Sequence, residues 1–170
     1  MAREYGRVFL SIWSDPDFVL LDSCSQRLYL LLLTQPGMST CGVQTFSPRR
    51  WAKLAPDTTA RKVARAVAAL EAPRLVVVDR RTDEILVRSF VRYDLSLRSA
   101  NVTKHLVKTL AQVTSGVLRD AVRHELYRLK DDLGDNGWAG WKVPAFQQLL
   151  EPPFGQWSEP PSEPPFQRRS

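Results

Sequence analysis

Cysteine is nearly absent from this chain: Cys24 and Cys41 are the two thiols among 170 residues. Two isolated thiols cannot build a disulfide framework, and no second pair stands at the spacing of a zinc site. Cys24 reads instead as a small apolar residue within a helix. Long apolar runs are missing too. The longest, Leu28 to Leu33, falls far short of the ~20 residues that cross a bilayer, and the polar start Met1 to Gly6 does not open a secretory leader. No membrane partner is expected, and the cytoplasm is the default compartment. Enzyme signatures are lacking as well, with no Walker-type glycine loop, no HExxH and no GxSxG. His105 and His124 stand alone on separate predicted helices, as surface or interfacial residues rather than catalytic bases. The paired acids Asp131 and Asp132 fall at a helix end, where such pairs are solvated. These absences point to a non-enzymatic protein with no metal or cofactor.

What is present is an ordinary globular composition, 44% hydrophobic, with 24 Lys and Arg against 18 Asp and Glu for a net charge of +6. That excess biases the partner towards polyanions. After Leu133 the chain carries Lys142, Arg168 and Arg169 against Asp135, Glu151, Glu159 and Glu163, so the positive excess belongs to the preceding residues.

Val8 to Trp13 reads as an extended segment closed by Asp15 and Pro16. Asp22 or Ser23 caps a helix whose wide apolar stripe, Leu28, Tyr29, Leu31, Leu32 and Leu33, predicts the central core helix, stopped by Pro36 and Gly37. Val43 to Phe46 is a short strand. Ser47 at N-cap and Pro48 at N1 then start a helix that buries Trp51, Leu54 and Ala55. Pro56 and Asp57 break it, and Asp57, Thr58 or Thr59 caps the next. In that next helix Val63, Val67 and Leu70 form one apolar stripe, with alanines allowing close approach to neighbours. Pro73 ends it, and Leu75 to Val78 and Ile85 to Val91 form a hairpin around the polar tip Asp79 to Glu84.

Beyond Asp94, helical periodicity returns with Val102, Leu106, Leu110 and Val113, then Leu118, Val122, Leu126, Leu129 and Leu133, with Ser99 and Ser115 as caps. This antiparallel pair packs either on the preceding domain or against a second copy, so a homodimer is a candidate state. Trp13 and Trp51 are expected in the core. After Gly134, Trp138 and Trp141 flank a glycine turn, Phe146 to Leu150 is a short apolar patch, and proline then dominates, with EPPF repeated. The fold class is therefore mainly α with a small antiparallel β-sheet (α+β): a winged helix-turn-helix over 1–94, a helical extension over 95–133, and a disordered Trp/Pro-rich tail over 134–170.

The basic residues Arg49, Arg50, Lys53, Arg61, Lys62 and Arg65 crowd both helices of the predicted helix-turn-helix. More follow at Arg80, Arg81, Arg88 and Arg92, on or beside the hairpin. A charge run is usually a solvated face; its coincidence with this motif favours double-stranded DNA. Thr58, Thr59 and Arg61, at the start of the second helix, suit base edges, and Lys62 and Arg65 suit base or phosphate. Ser47, Arg49, Arg50 and Lys53 suit the DNA backbone, and Arg80 and Arg81 a neighbouring groove or phosphates. In the tail, Phe154, Trp157 and Phe166 are spaced aromatic anchors on a stiff scaffold, suited to a groove on a replication or transcription protein.

The segments IWSDPDF, SQRLYLLLLTQPG, CGVQTFSPRRWAKLAP, TTARKVARAVAALEAPRLVVVD and ILVRSFVRYD, the last running into NVTK, resemble the winged-helix DNA-binding proteins of actinobacterial phages and prophages. Those proteins are similar to the N-terminal domains of phage replisome organisers, and the resemblance spans Arg7 to about Leu133. It implies an origin-binding protein that recruits a helicase or its loader. Transcriptional regulation by the same fold is the alternative. A protein-interaction module with merely solvated charges is the third reading.

Overall fold

Two aspartates start the chain's first helices. Asp15 accepts from the backbone N–H groups of Asp17 and Phe18 at the head of α1 (Pro16–Val19), and Asp22 accepts from Cys24 and Ser25 at the head of α2 (Ser23–Leu33). Both leave the orphan N–H groups of a helix N-terminus satisfied. The computed structural model describes residues 6–93, 96–133 and 138–151. Over these residues the protein is mainly helical with one three-stranded antiparallel sheet. The expected extended segment at Val8 to Trp13 is instead a 3-10 turn, Leu10–Ser14. Residues three apart eclipse in such a turn, so Leu10 and Trp13 share its outer side while Ile12 points into the core. Trp13 is thus not a core residue. It is 59% exposed and rests its ring edge on Phe18, which takes the buried place.

α2 is the central helix. Leu28, Tyr29, Leu32 and Leu33 are buried, and the Tyr29 hydroxyl bonds Ser89 at 2.7 Å. Burial of that ring holds the phenol well above its usual range. Cys24 is half-buried and unpaired with Cys41.

The sheet runs in the order β1 (Val43–Thr45), β3 (Glu84–Val87), β2 (Val76–Asp79). Val43 sits opposite Leu86, and Val78 opposite Ile85. Between β1 and β2 lie α3 (Pro48–Ala52) and α4 (Ala60–Glu71). β3 stops at Val87 rather than running to Val91, because the chain turns at Arg88 and Ser89 into a helical turn, α5 (Phe90–Tyr93). Gly42, at φ +80°, makes that turn possible, since a Cβ there would lie 2.8 Å from the Phe90 Cβ.

α6 (Ala100–Ala111) and α7 (Gly116–Leu133) follow as expected, and α7 packs on α5 and β2. The buried stripe of α6 is rotated from the expected one: Thr103 is buried with Leu106 and Leu110, while Val102 is exposed. Thr103 tolerates burial because its hydroxyl donates to the Ser99 carbonyl at 3.0 Å. Ser115 caps α7 by accepting from Leu118 N–H, whereas the Ser99 side chain makes no cap bond.

Residues 138–151 correct the expected tail. A 3-10 turn, Ala139–Lys142, and α8 (Pro144–Leu149) pack on α6, burying Trp141, Val143, Phe146 and Leu150. Each such side chain contributes ~1.5–3 kcal/mol, enough to hold a segment that the sequence joins to a proline-rich tail. Gly140 explains the close approach: a Cβ there would stand 2.3 Å from the Leu97 carbonyl oxygen and 2.4 Å from Thr103 Oγ1. Buried apolar residues from Ile12 to Leu150 form a single cluster, so α6 to α8 pack onto the elements before them. Phe154, Trp157 and Phe166 lie outside the described residues. Among the described residues no helix is long and apolar enough to cross a membrane.

Candidate nucleic-acid interface

α4 divides its residues cleanly. Val63, Ala66, Val67 and Leu70 are buried against α2, α3 and β2, while Arg61, Lys62, Ala64, Arg65 and Ala68 are exposed. Arg61 and Arg65 lie one turn apart on that outer side with Ala64 and Ala68 between and beyond them. Two alanines lower the relief of the surface, so a flat or grooved partner can come close to the helix axis. The helix starts at Thr59, whose hydroxyl accepts from Lys62 N–H at 3.3 Å; of the three candidate caps, Thr59 is the one used. At 12 residues α4 is ~18 Å long.

The turn before α4 is tied internally. Thr58 donates its hydroxyl to Asp57 at 3.3 Å, and the Lys62 ammonium donates to the Asp57 carbonyl at 2.7 Å. Lys62 therefore braces the turn as well as adding charge. An open cleft of about 390 Å³ sits beside it, with Thr58, Lys62 and Arg65 on one side and Asp22, Ser23 and Cys24 on the other. The backbone N–H of Ser25 holds the Asp22 carboxyl below its usual range, with smaller help from the Ser25 hydroxyl, Cys24 N–H and the charge of Arg65. One acid thus faces the cationic side.

α3 is shorter than expected. Trp51 and Ala52 are buried, and Trp51 packs edge-on to Phe46 at 5.7 Å. Leu54, expected inside, is 50% exposed because the helix has ended and Lys53 and Leu54 have entered the turn. Ser47 occupies the N-cap position, but its side chain makes no capping bond, because its backbone (φ −135°, ψ 69°) departs from ordinary cap geometry. Arg49, Arg50 and Lys53 are exposed. None of the six cations on α3, at its C-cap and on α4 is held in an ion pair among the described residues. Arg27, which sequence reasoning missed, reaches across from α2 to the Leu54 carbonyl at 3.1 Å and fixes the α3–α4 turn. No periodicity could reveal that bond, since its partners lie on separate elements.

The hairpin tip, Arg80 to Asp83, divides its two arginines. Arg80 is committed: its guanidinium binds both oxygens of Glu71, at 3.1 and 2.6 Å, and lies 5.9 Å over the Phe46 ring. That carboxylate raises the Arg80 pKa further. Arg81 is 86% exposed, with its Nε 3.7 Å from Asp79. The base of the hairpin is anchored to the N-terminus of α7. Glu84 accepts from Thr114 and Ser115 N–H at 3.0 and 2.7 Å, and Ser115 donates its hydroxyl to Asp79 at 2.7 Å. Carboxylates there also complement the helix dipole. The Ser115 bond, then Arg81 N–H, lowers the Asp79 pKa.

Arg88 and Arg92 do not flank the tip as expected. Arg88 is 1% exposed and donates its Nε to Glu125, itself 1% exposed, at 2.7 Å, with Nη1 on the Arg74 carbonyl. Arg92 binds Asp132 and stands 3.9 Å from Glu125. Arg88 and Glu125 form a buried ion pair, and Arg92 extends it to Asp132 at the surface, joining the sheet and α5 to α7. Among the described residues no three His, Cys, Asp or Glu side chains converge on a metal-sized site. His105 is exposed and close to Thr40 at 3.3 Å. The chain has no detectable match among protein families, curated proteins or solved structures.

Proposed function

We propose that the chain binds double-stranded DNA without catalysis, as a winged helix-turn-helix with α3 and α4 as the helical motif, β2 and β3 as the wing, and α4 in the major groove. The observation that carries this reading is the outer face of α4, where Arg61 and Arg65 stand exposed and unpaired by acids over a surface thinned by Ala64 and Ala68. Arg61, at the helix start, suits the two acceptors of guanine, with Thr58 and Thr59 beside it. Arg49, Arg50 and Lys53 suit the adjoining phosphates, joined from the wing by Arg81. Arg80 serves structure first.

The resemblance to phage winged-helix proteins makes replication initiation the favoured setting, with origin binding and recruitment of a partner through the Phe154, Trp157 and Phe166 segment. The test is fluorescence anisotropy with duplexes of random and phage-derived sequence across a salt series. If about five cations neutralise phosphates, log affinity falls against log salt with slope near −4.5, about 500-fold between ~50 and ~200 mM. Replacing Arg61 and Arg65 together by alanine is expected to weaken binding at least ~10-fold and to reduce the preference among sequences. Binding that ignores both substitutions overturns the reading.

A further inference from the structure

A second corner of the molecule carries charge of one sign. The 3-10 turn Ser96–Arg98, α6, the turn Ala139–Lys142 and α8 pack on one another. Residues 96–119 and 138–150, which build that corner, contain no Asp or Glu. They expose Arg98, Lys104, Lys108 and Lys142. α7 shows what an ordinary solvated helix looks like in the same protein, for Asp120, Arg123, Glu125, Arg128, Lys130 and Asp131 mix both signs along it.

The corner's core explains its apolar residues but not its cations. Lys104, Lys108 and Lys142 form no ion pair among the described residues. Arg98 is held at the surface with its guanidinium 5.4 Å over the Trp138 ring. Lys104 and Lys108 stand at i and i+4, an arrangement that disfavours the helix where Glu and Lys would favour it. Glu84 reaches the turn between α6 and α7 from the sheet, where its two oxygens accept from Thr114 and Ser115 N–H. The residues of the corner therefore contribute a net positive charge, with Glu84 as an acid at its α7 end.

We propose that this corner is a second phosphodiester-binding face, gripping the backbone of duplex DNA without reading bases. It is distinct in place from α4. α6 is tied through His105 and Thr109 to Thr40, in the loop that leads into β1, at 3.3 and 2.7 Å. β1 is the sheet edge opposite β2, against which α4 packs. Two separate cationic faces let one molecule hold a bent duplex or two duplex segments. The proposal shares the ligand class of the preceding section but none of its residues.

The test compares five full-length proteins on several 20-base-pair duplexes of different sequence by anisotropy across a salt series. They are the unaltered chain, Lys104→Gln with Lys108→Gln, Lys104→Arg with Lys108→Arg, Arg61→Ala with Arg65→Ala, and the two Gln with the two Ala changes together. Loss of two phosphate contacts is expected to flatten the salt slope by about 1.8, equally for every duplex sequence, and Lys104→Arg with Lys108→Arg is expected to restore it. Thermal melting should be unchanged or slightly raised, since both lysines are exposed and their mutual repulsion is removed. An unchanged slope in the lysine variant overturns this second face even if the α4 variant binds poorly. A flattened slope beside an unaffected α4 variant upholds the second face and overturns the α4 reading.

Discussion

Arginine does opposite work in two regions of this protein. On α4, Arg61 and Arg65 stand in water beside alanines. Beneath the sheet, Arg88 is sealed against Glu125 with Arg92 and Asp132 alongside. In sequence the two sets look alike, as cations interleaved with valine, leucine or phenylalanine. The difference lies in the partner: Glu125 comes from a helix that begins nearly thirty residues after Arg88, whereas no acid is brought to Arg61. A count of positive charge therefore overstates the surface available to a polyanion, and the burial of Arg88 and Arg92 shifts that surface towards α3 and α4.

The sharpest way to break the comparison is to remove Arg88. Arg88→Ala leaves Glu125 charged and sealed from water without a hydrogen-bonded partner, Arg92 standing 3.9 Å away, which is expected to cost about 3–5 kcal/mol in urea unfolding. Replacing the pair by methionine and leucine should cost far less, because no unpaired charge remains buried, while Arg92 keeps Asp132. A mild loss for Arg88→Ala alone would mean that water reaches the centre and that the two arginine sets differ less than their burial implies. The converse holds on α4, where Arg61→Ala with Arg65→Ala should weaken DNA binding at least ~10-fold yet leave stability within about 0.5 kcal/mol.

A smaller contrast separates the two N-caps of the helical motif. Thr59 accepts from Lys62 N–H and Ser47 caps nothing with its side chain. Thr59→Ala is expected to lower stability by about 1 kcal/mol, and Ser47→Ala by less than about 0.5 kcal/mol, both read from urea midpoints at constant slope. Equal losses would show that the Ser47 hydroxyl acts as a cap in solution.

Much of this architecture was legible in the chain. The stripe Val63, Val67, Leu70 predicts which side of α4 is buried, Asp22 was one of two candidates for the α2 cap, and β-branched runs predict the hairpin. What failed did so for tertiary reasons. β3 ends early because Arg88 turns inward to a distant acid. Val102 gives its place to Thr103 because Gly140 brings a later turn against α6, and residues 138–151 fold because α6 offers an apolar surface that local composition cannot register. In the candidate site, the exposed cations of α3 and α4 followed from periodicity. The Arg27 brace and the Arg80–Glu71 pair, which join separate elements, did not.

The smallest predicted effect concerns acid. Asp22 and Asp79 both titrate below their ordinary range, so the bonds that depress them contribute stability that is complete above the unfolded value, about 3.9, and is lost as pH falls through the folded value. Urea midpoints should therefore fall below about pH 4, and Asp79→Asn should flatten that limb. Arg65 is the least of the causes acting on Asp22. Arg65→Ala should move the Asp22 titration, followed by carboxyl-carbon NMR, only slightly upward. A rise that overtakes the effect of removing the Ser25 hydroxyl would mean that Arg65 is already engaged with Asp22 across the cleft. A phosphate would then have to compete with that carboxylate, leaving Arg61 as the principal free cation of α4.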